Sequence, residues 1–319
     1  MPANHQKAIY RRFCKRSPEL LPLFLRDWYL DVICGKEDWD VVLVAHEEEV
    51  RAALPYYLKK RGPFTYITMP NLGKAMGPYL HPHFRRPRQS QKLLKALVEQ
   101  IPKVDYFYQS CHYDFKDWLP FYWSGYDQST AYSYILEPLA DLDQVLANFS
   151  TDYRNNKLKK AKQQVQLRHD LPLSVLFDIS QKSFERQELS FPFSFDFFKH
   201  YDQVLAAHDC RKLFFAVDAQ DRVHSIVYLV WDHQAAYYLL AGDDPNLRNS
   251  GAGIFLAWEA IKYSQEQLGL NRFDFLGSMI EPIERVRRQF GAKQVPYFKL
   301  EKYGSLGFRV LDWVRGKRG

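Results

Sequence analysis

The feature that most constrains the fold is a set of three short apolar runs that occurs twice along the 319 residues. The first set comprises residues 40–46, 50–58 and 64–68, and the second set comprises residues 212–218, 223–231 and 235–241. Apolar runs joined by short polar turns are typical of β-hairpins. The second set follows the first at a spacing of about 170 residues, which predicts a structural unit that occurs twice.

Each set is followed by a helical segment and then by another strand. These segments are residues 89–100 and 104–109 in the first half, and 253–268 and 272–276 in the second. Hairpins that continue into a strand–helix–strand unit predict a mixed sheet covered by helices. We therefore expect an α/β (α+β) fold with two domains, 1–138 and 139–319. Each domain should be a mixed, largely antiparallel sheet flanked by helices.

The connecting segments carry weaker signals. Residues 139–168 are helical by composition, and Leu158, Ala161 and Val165 fall on one face at spacings of three and four. The predictions for the remaining segments are a helix at 18–28, a strand at 171–176 and a helix at 178–187.

The composition favours a soluble globular protein, with 46% hydrophobic and 25% charged residues. The apolar runs are far shorter than the roughly 20 residues that cross a bilayer, so we expect no stable membrane insertion. Residues 1–16 lack the apolar core of a secretory signal, and the four scattered cysteines suggest no disulfide framework. These features favour the cytoplasm. The formal net charge of +7 favours anionic partners.

A glycine-rich segment between a predicted strand and a long helix is the first candidate site. It reads Arg248-Asn-Ser-Gly251-Ala252-Gly253. Two glycines at this spacing let the backbone expose amide groups at a helix N-terminus, where phosphate binds, and Arg248 adds a cation with a planar fork. The pattern resembles the pyrophosphate loop of the GNAT superfamily, although a plain loop capping a helix gives the same residues.

A second motif lies near the C-terminus. Residues 271–278 read Asn-Arg-Phe-Asp-Phe-Leu-Gly-Ser, and residues 281–291 read Glu-Pro-Ile-Glu-Arg-Val-Arg-Arg-Gln-Phe-Gly. The first predicts a strand that ends at Gly277, and Pro282 predicts the first turn of a helix. Together with a Pro-Tyr strand at 295–299, this order resembles the FemABX aminoacyl-transferases and their GNAT-like relatives. The basic segment 153–161 and the loop 69–79 extend the resemblance over most of the chain.

Two positions depart from the FemABX motif Phe-Lys-x-x-Phe-Gly, because Val286 replaces the first Phe and Arg287 replaces the Lys. The resemblance implies that Arg287 stabilises charge on the reacting carbonyl oxygen. Its planar guanidinium differs from an ammonium in geometry, which leaves the nature of the donor open.

The resemblance implies a cytoplasmic bacterial N-acyltransferase that moves an acyl or aminoacyl group from an activated donor to an amine. The donor would contact Arg248, Gly251, Ala252 and Gly253. No tightly bound cofactor is expected, and acyl-CoA is the expected donor cosubstrate. Candidates for receiving the amine proton are Tyr238, Asp243, Asp274 and Glu281. For Asp274, an ordinary capping role at a strand end is the competing interpretation.

An amine acceptor that carries phosphate would suit the cations of the chain. The candidates for acceptor binding are Lys74, Tyr79, Arg154, Lys157 and Ser278. A solvated basic helix face and a simple turn cluster explain the same residues. His81 and His83 lack a third ligand nearby, so no metal site is expected.

Two further functions remain open at this point. One is a FemABX-type transferase that uses aminoacyl-tRNA as donor and forms a peptide bond. The other is a non-catalytic module that binds RNA or an anionic surface through phosphate contacts, which salt would weaken steeply. The sequence does not predict an oligomeric state.

Overall fold

The computed structural model describes residues 3–277 and 279–316. From the N-terminus to residue 136 the elements are α1 (Ala3–Arg16), α2 (Asp27–Cys34), β1 (Trp39–His46), β2 (Glu49–Arg61), β3 (Phe64–Thr68), β4 (Tyr79–Leu80), α3 (Pro87–Val98), β5 (Tyr106–Ser110), α4 (Leu119–Trp123) and β6 (Asp127–Leu136). They continue with α5 (Leu142–Ala147), α6 (Leu158–Gln164), β7 (Gln166–Arg168), α7 (Leu173–Glu185), α8 (Phe195–Ala207), β8 (Arg211–Val217), β9 (Val223–Trp231), β10 (Ala236–Asp243), α9 (Ala252–Glu266), β11 (Phe273–Asp274), α10 (Glu281–Gln289), β12 (Lys293–Tyr303) and α11 (Leu306–Gly316).

The chain forms two compact units. One consists of Met1–Ala131 together with Pro296–Gly319, and the other of Tyr132–Val295. The predicted division at residue 138 assigned the whole C-terminus to the second domain. In the structure the last strand, β12, instead pairs with β5, so that Tyr303 lies opposite Tyr106.

The sheet of the first unit has the order β1-β2-β3-β5-β12, with β4 paired to β2. In the described part of this unit, the strand pairings are antiparallel except that of β3 with β5. Leu94 and Leu97 of α3 pack with Leu54 and Phe107 of the sheet in one apolar cluster. Burying an aliphatic or aromatic side chain of this size stabilises a fold by roughly 1.5–3 kcal/mol.

The sheet of the second unit has the order β6-β11-β10-β9-β8-β7. Among the strand pairings of the described residues in this unit, only the short one of β10 with β11 is parallel. Helix α9 buries Leu256 and Ile261 against Phe214 and Leu229 of β8 and β9. Both units thus contain the mixed, largely antiparallel sheet with helices that the sequence predicted.

Strand β10 contains a β-bulge. Tyr238 pairs with Leu229 of β9, and Leu240 pairs with the next residue along, Tyr228. Leu239 is therefore an extra residue that has no pairing partner in β9. A bulge bends its strand and redirects the side chains that follow. It therefore changes the course of β10 just beyond Tyr237, the last residue that pairs with β11.

Two local predictions were wrong. Residues 171–176 were expected to form a strand, but α7 begins at Leu173 and continues to Glu185. Its buried residues, including Leu176, Ile179 and Ser183, recur at helical spacing, and this periodicity extends beyond the short segment that was read as a strand. Residues 18–28 form two single 3₁₀ turns and the start of α2, because Pro22 interrupts a continuous helix.

The junction 139–168 is helical only in part. It contains α5, a π-helical turn at Asp152–Lys157, α6 and the short strand β7. The predicted apolar face is confirmed, because Leu158, Ala161 and Val165 all lie in the core of the second unit. π-helical turns are often found at functional sites.

Candidate functional site: a cation where two parallel strands part

The parallel pairing of β10 and β11 covers two residue pairs, Ala236 with Phe273 and Tyr237 with Asp274. Among the described residues, β10 has no strand partner on that side after Tyr237. On the β11 side the chain turns away through Leu276 and Gly277, which both have positive φ angles, 56° and 57°. We call the place where the strands part the fork.

Arg287 of α10 lies at the fork. Its guanidinium carbon is 5.0 Å from the ring centre of Tyr238 and 5.0 Å from that of Phe275, the first residues after the pairing ends. The buried Nε has no hydrogen-bond partner among the described residues. Burial lowers the pKa of Arg287 from its usual value, but the side chain stays charged at neutral pH. A desolvated cation with a spare donor can stabilise negative charge on a reacting oxygen.

The phenol of Tyr238 is buried beside this cation. Burial raises the pKa of Tyr238 far above its usual value, although the charge of Arg287 opposes the rise. The hydroxyl therefore keeps its proton at neutral pH. Tyr238 can donate a proton to a leaving group, but it is poorly suited to receive one from an amine.

Asp274 is buried at the end of β11 and is held by two donors. The hydroxyl of Ser133 and the backbone N–H of Leu276, the latter at 2.7 Å, both donate to its Oδ1 atom. Burial raises the pKa of Asp274 to about 6. Its contacts are those of a group that caps a strand end, as the competing interpretation proposed.

The glycine-rich segment forms a tight loop between β10 and α9. A 3₁₀ turn at Arg248–Ser250 leads to Gly251, whose φ of 79° lies in the left-handed region. A Cβ atom at Gly251 would lie 2.7 Å from the carbonyl oxygen of Lys157, and one at Gly253 would lie 2.7 Å from Oδ1 of Asp243. Close approach of the backbone therefore requires glycine at position 251, whereas at position 253 a larger residue would displace the carboxylate of Asp243. The loop places the N-terminus of α9 next to the end of β10, with Ala252 buried and Arg248 exposed.

Asp243, the last residue of β10, interacts electrostatically with both the glycine-rich loop and the fork. Burial raises the pKa of its carboxyl, and the charges of Arg186 and Arg248 act in the opposite direction. The charge of Asp243 also raises the pKa of Tyr238. A partly accessible carboxylate with a raised pKa is better suited to receive a proton near neutral pH than an ordinary aspartate.

The basic segment 154–160 adjoins the loop. Nζ of Lys160 donates to the carbonyl oxygen of Asn249 at 2.8 Å, and the backbone of Lys157 contacts Gly251. Lys157 is half-buried, whereas Arg154 donates from Nη1 to the carbonyl oxygen of Ala147 at 2.9 Å. The structure therefore brings Lys157 and Lys160 into contact with the loop.

The remaining predicted residues lie elsewhere or outside the description. Glu281 is exposed at the start of α10 and forms an ion pair with Arg285 at 3.3 Å. Lys74 and Tyr79 belong to the first compact unit. The Lys74 residue is exposed, but desolvation of its ammonium group by the surrounding protein lowers its pKa. Tyr79 is buried. Ser278 lies outside the described residues.

Several residues that position Arg287 were not predicted. The hydroxyl of Tyr134 donates to Oε1 of Glu284 at 2.6 Å, and Glu284 forms an ion pair with Arg288 one turn later. The ring of Phe290 stacks on that of Phe275, with 5.1 Å between the ring centres. The spacing of Glu284 and Arg288 was a local signal for a helical ion pair, but nothing in the sequence indicated Tyr134.

Within residues 3–277 and 279–316, no group of three or more histidine, cysteine, aspartate or glutamate side chains is arranged to hold a metal ion. None of the helices in this part of the chain has the length and apolar character needed to cross a bilayer.

Part of the site lies in a segment that resembles a known family. Residues 149–282 match the acetyltransferase (GNAT) domain family. No curated protein sequence matches the chain.

Several solved structures share the fold. The crystal structure of FemX superposes with a TM-score of 0.68 at 12% identity, covering 93% of this chain and 96% of FemX. L-PGS from Bacillus licheniformis superposes with a TM-score of 0.57 at 11% identity, covering 98% of this chain and 95% of that one. A tandem GNAT protein from the clavulanic acid biosynthesis pathway gives 0.54 at 12% identity, covering 95% and 96%.

The predicted resemblance is thus confirmed by sequence in the second half of the chain and by fold over most of its length. Residues 149–282 thus form a GNAT domain, and the chain as a whole has the fold shared by FemX and a tandem GNAT protein.

Proposed function

We propose that the protein is an N-acyltransferase that moves an acyl group from acyl-CoA to an amine on an anionic acceptor. The observation that carries the proposal is the position of Arg287 at the fork between β10 and β11, with a buried Nε that lacks a partner among the described residues. Acyl transfer develops negative charge on the carbonyl oxygen, and a preorganised cation in a desolvated site stabilises that charge.

The loop from Arg248 to Gly253 would hold the donor phosphates. It offers the N-terminus of a helix of 15 residues, a left-handed glycine and an exposed arginine within six residues of one another. Backbone amides at a helix N-terminus bind phosphate, and the macrodipole favours the negative charge.

The open side of β10 would hold the amide-containing arm of the donor. After Tyr237 the pairing with β11 has ended, so backbone groups of β10 on that side are available to an extended ligand. Such a ligand can add to a strand edge through main-chain hydrogen bonds. The arm would then lead from the loop towards the fork, where the thioester meets Arg287.

In the reaction, the neutral amine attacks the thioester carbonyl carbon, and a new C–N bond forms as the C–S bond breaks. Arg287 stabilises the oxygen of the tetrahedral intermediate. Asp243 receives the proton that the amine loses, and Tyr238, which keeps its proton at neutral pH, returns one to the leaving sulfur. The donor is already activated, so positioning supplies much of the acceleration.

Lys157 and Arg154 would attract the anionic part of the acceptor, since the backbone of Lys157 contacts the donor loop and Arg154 belongs to the same π-helical turn. Lys74, Tyr79 and Ser278 stay predictions for acceptor binding. A phosphate-bearing acceptor fits the net charge of +7.

A second candidate function uses aminoacyl-tRNA as the donor. Lys160 of the basic segment contacts Asn249 of the loop. This contact favours the second function, because a polyanion larger than CoA could bind the loop and the basic segment at the same time. The overall similarity to FemX is consistent with either donor. A non-catalytic module that binds RNA would use the same cations without needing Arg287 at the fork.

Calorimetric titration with acetyl-CoA and with free CoA tests the proposal. We expect saturable binding of both ligands to the unmodified protein and at least about tenfold weaker binding to Arg248→Ala, because a phosphate contact is lost. Arg285→Ala, which removes another exposed arginine, is the matched control and should bind normally.

If neither ligand binds, the CoA proposal fails. The aminoacyl-tRNA donor is then tested by adding charged tRNA to the unmodified protein and to Arg287→Gln. Transfer that depends on Arg287 supports that donor, whereas tRNA binding without transfer supports the binding module.

A further inference from the structure

The last described helix, α11, exposes an apolar face. Leu306, Val310, Trp313 and Val314 are 79%, 60%, 61% and 40% exposed. Their spacing of four, seven and eight residues puts them on one face of the helix. We call these four residues the outer stripe. Exposed apolar side chains that are contiguous in this way mark an interaction surface rather than a random surface pattern.

The opposite face of α11 docks on the first unit. Phe308 is buried and its ring lies 5.0 Å from Tyr106, 5.6 Å from Phe64 and 5.5 Å from Tyr66. The acidic residue of the helix, Asp312, also faces away from the outer stripe, and it accepts a hydrogen bond from the hydroxyl of Tyr303 at 2.6 Å. The helix is therefore anchored through one side and presents the other.

Cations lie on the same side of the sheet as α11. Lys59 is directly opposite Tyr66 and Arg61 is directly opposite Phe64 in the β2–β3 pairing. Directly opposite residues of an antiparallel pair project from the same face of the sheet. Because Phe64 and Tyr66 contact Phe308, Lys59 and Arg61 project on the side that carries the helix.

Further cations belong to the helix and the sequence after it. Arg309 is exposed and lies near the ring of Tyr303 at 5.9 Å. In the sequence, Arg315, Lys317 and Arg318 follow the outer stripe. An apolar face that includes tryptophan, bordered by lysine and arginine, is the pattern of helices that lie in the interface of an anionic membrane.

We propose that α11 binds the surface of an anionic lipid bilayer through the outer stripe, with Lys59, Arg61 and Arg309 contacting lipid phosphates. The helix of 11 residues lies on the membrane rather than across it. This proposal does not depend on the donor site. A second copy of the chain is the competing occupant of the stripe, but two such faces would bring the same cations together and repel each other.

Co-sedimentation of the full chain with vesicles tests the proposal. One set of vesicles contains only phosphatidylcholine, and the other contains equal parts of phosphatidylcholine and phosphatidylglycerol. We expect binding to the anionic vesicles and little to the zwitterionic ones. Val310→Ser combined with Trp313→Ser should weaken binding at least about tenfold, since apolar contact area is lost. Leu189→Ser, which changes an exposed leucine of the second unit, should bind normally.

The contribution of the cations to membrane binding is tested with a separate pair of variants. Arg61→Gln should weaken binding to the anionic vesicles by about fivefold. Lys60→Gln should weaken it less, because Lys60 lies opposite Thr65 and projects from the other face of the sheet. Added salt should weaken binding of the unmodified protein.

A second measurement does not depend on the double variant, which could fold poorly. It follows the quenching of tryptophan fluorescence by lipids with brominated acyl chains. Tryptophan emission should be quenched in the unmodified protein, and much of that quenching should disappear in Trp313→Phe. Equal binding to both kinds of vesicle overturns the proposal, as does undiminished quenching in Trp313→Phe. A dimer in analytical ultracentrifugation that the serine variant loses, without vesicle binding, assigns the stripe to a second copy instead.

Discussion

The guanidinium carbon of Arg287 lies 5.0 Å from the ring centre of Tyr238, at the first residue of β10 that no longer pairs with β11. The contact joins two segments that are far apart in sequence, and no ligand is needed to form it. Because Phe275 flanks the same guanidinium, the charge is fixed in place before a donor arrives. A fixed charge needs little reorganisation during the reaction, which is the condition for effective stabilisation of an oxyanion.

Replacing Arg287 should reduce turnover. We expect Arg287→Gln to lower kcat by about 10²–10³-fold, as loss of an oxyanion donor does elsewhere, with a smaller effect on the KM for the donor. Arg287→Lys should retain part of the activity because the charge remains. The measurement is release of free thiol from acyl-CoA in the presence of an amine acceptor. Arg285→Gln, on the same helix, is the control, and an equal loss in that variant would contradict the role of Arg287.

Asp243 should set the acidic side of the pH profile. Burial raises the pKa of this carboxyl, so activity should fall as pH decreases through that raised value, because the protonated form accepts no proton. Asp243→Asn should lower kcat/KM by about 10²–10⁴-fold and flatten that limb. The neighbouring Asp244, which forms an ion pair with Lys182 at 3.2 Å, gives the matched variant Asp244→Asn. An unchanged acidic limb in Asp243→Asn would show that another group receives the proton.

The donor loop should tolerate alanine poorly at Gly251. Gly251 and Gly269 both have left-handed φ angles, 79° and 65°. A Cβ atom added at Gly251 would clash with the carbonyl oxygen of Lys157, whereas one added at Gly269 would have no atom within 4 Å. Gly269→Ala should reduce the free energy of unfolding by about 1 kcal/mol for the backbone alone. Gly251→Ala should reduce it by a further ~1–3 kcal/mol, because the loop must shift. Urea denaturation measures the free energy of unfolding of both variants. Equal losses would show that the carbonyl oxygen of Lys157 does not restrict the residue at position 251.

Asp274 should make the fold less stable as pH rises. Burial raises its pKa from 3.8 to about 6, so between these values the folded chain binds more protons than the unfolded chain. The free energy of unfolding therefore falls as pH increases through this window, by about 3 kcal/mol for this group. Asp274→Asn keeps an oxygen for Ser133 and should abolish this component. Urea denaturation of both proteins at pH values across the window tests it, and parallel curves would contradict the raised pKa.

The local parts of the site were predictable from the sequence. Arg248, Gly251 and Gly253 follow each other within six residues between a predicted strand and a predicted helix, which indicated a tight loop at a helix N-terminus. The helix that carries Arg287 was likewise indicated by Pro282 at its start.

The long-range parts of the site were not predictable. Tyr238 and Phe275 meet Arg287 only because the sheet brings β10 beside β11, and no local pattern encodes that distance. Ser133 gave no signal, because a single serine in a strand is indistinguishable from any other until its partner Asp274 is known.

The pairing of β12 with β5 has a consequence for protein synthesis. The second unit is one continuous stretch, whereas the first receives its last strand only after the second has left the ribosome. Until then β5 presents an unpaired edge, which is a template for association with other chains. Ribosome-bound chains halted before residue 296 should therefore depend on chaperones more than chains released after β12 is complete.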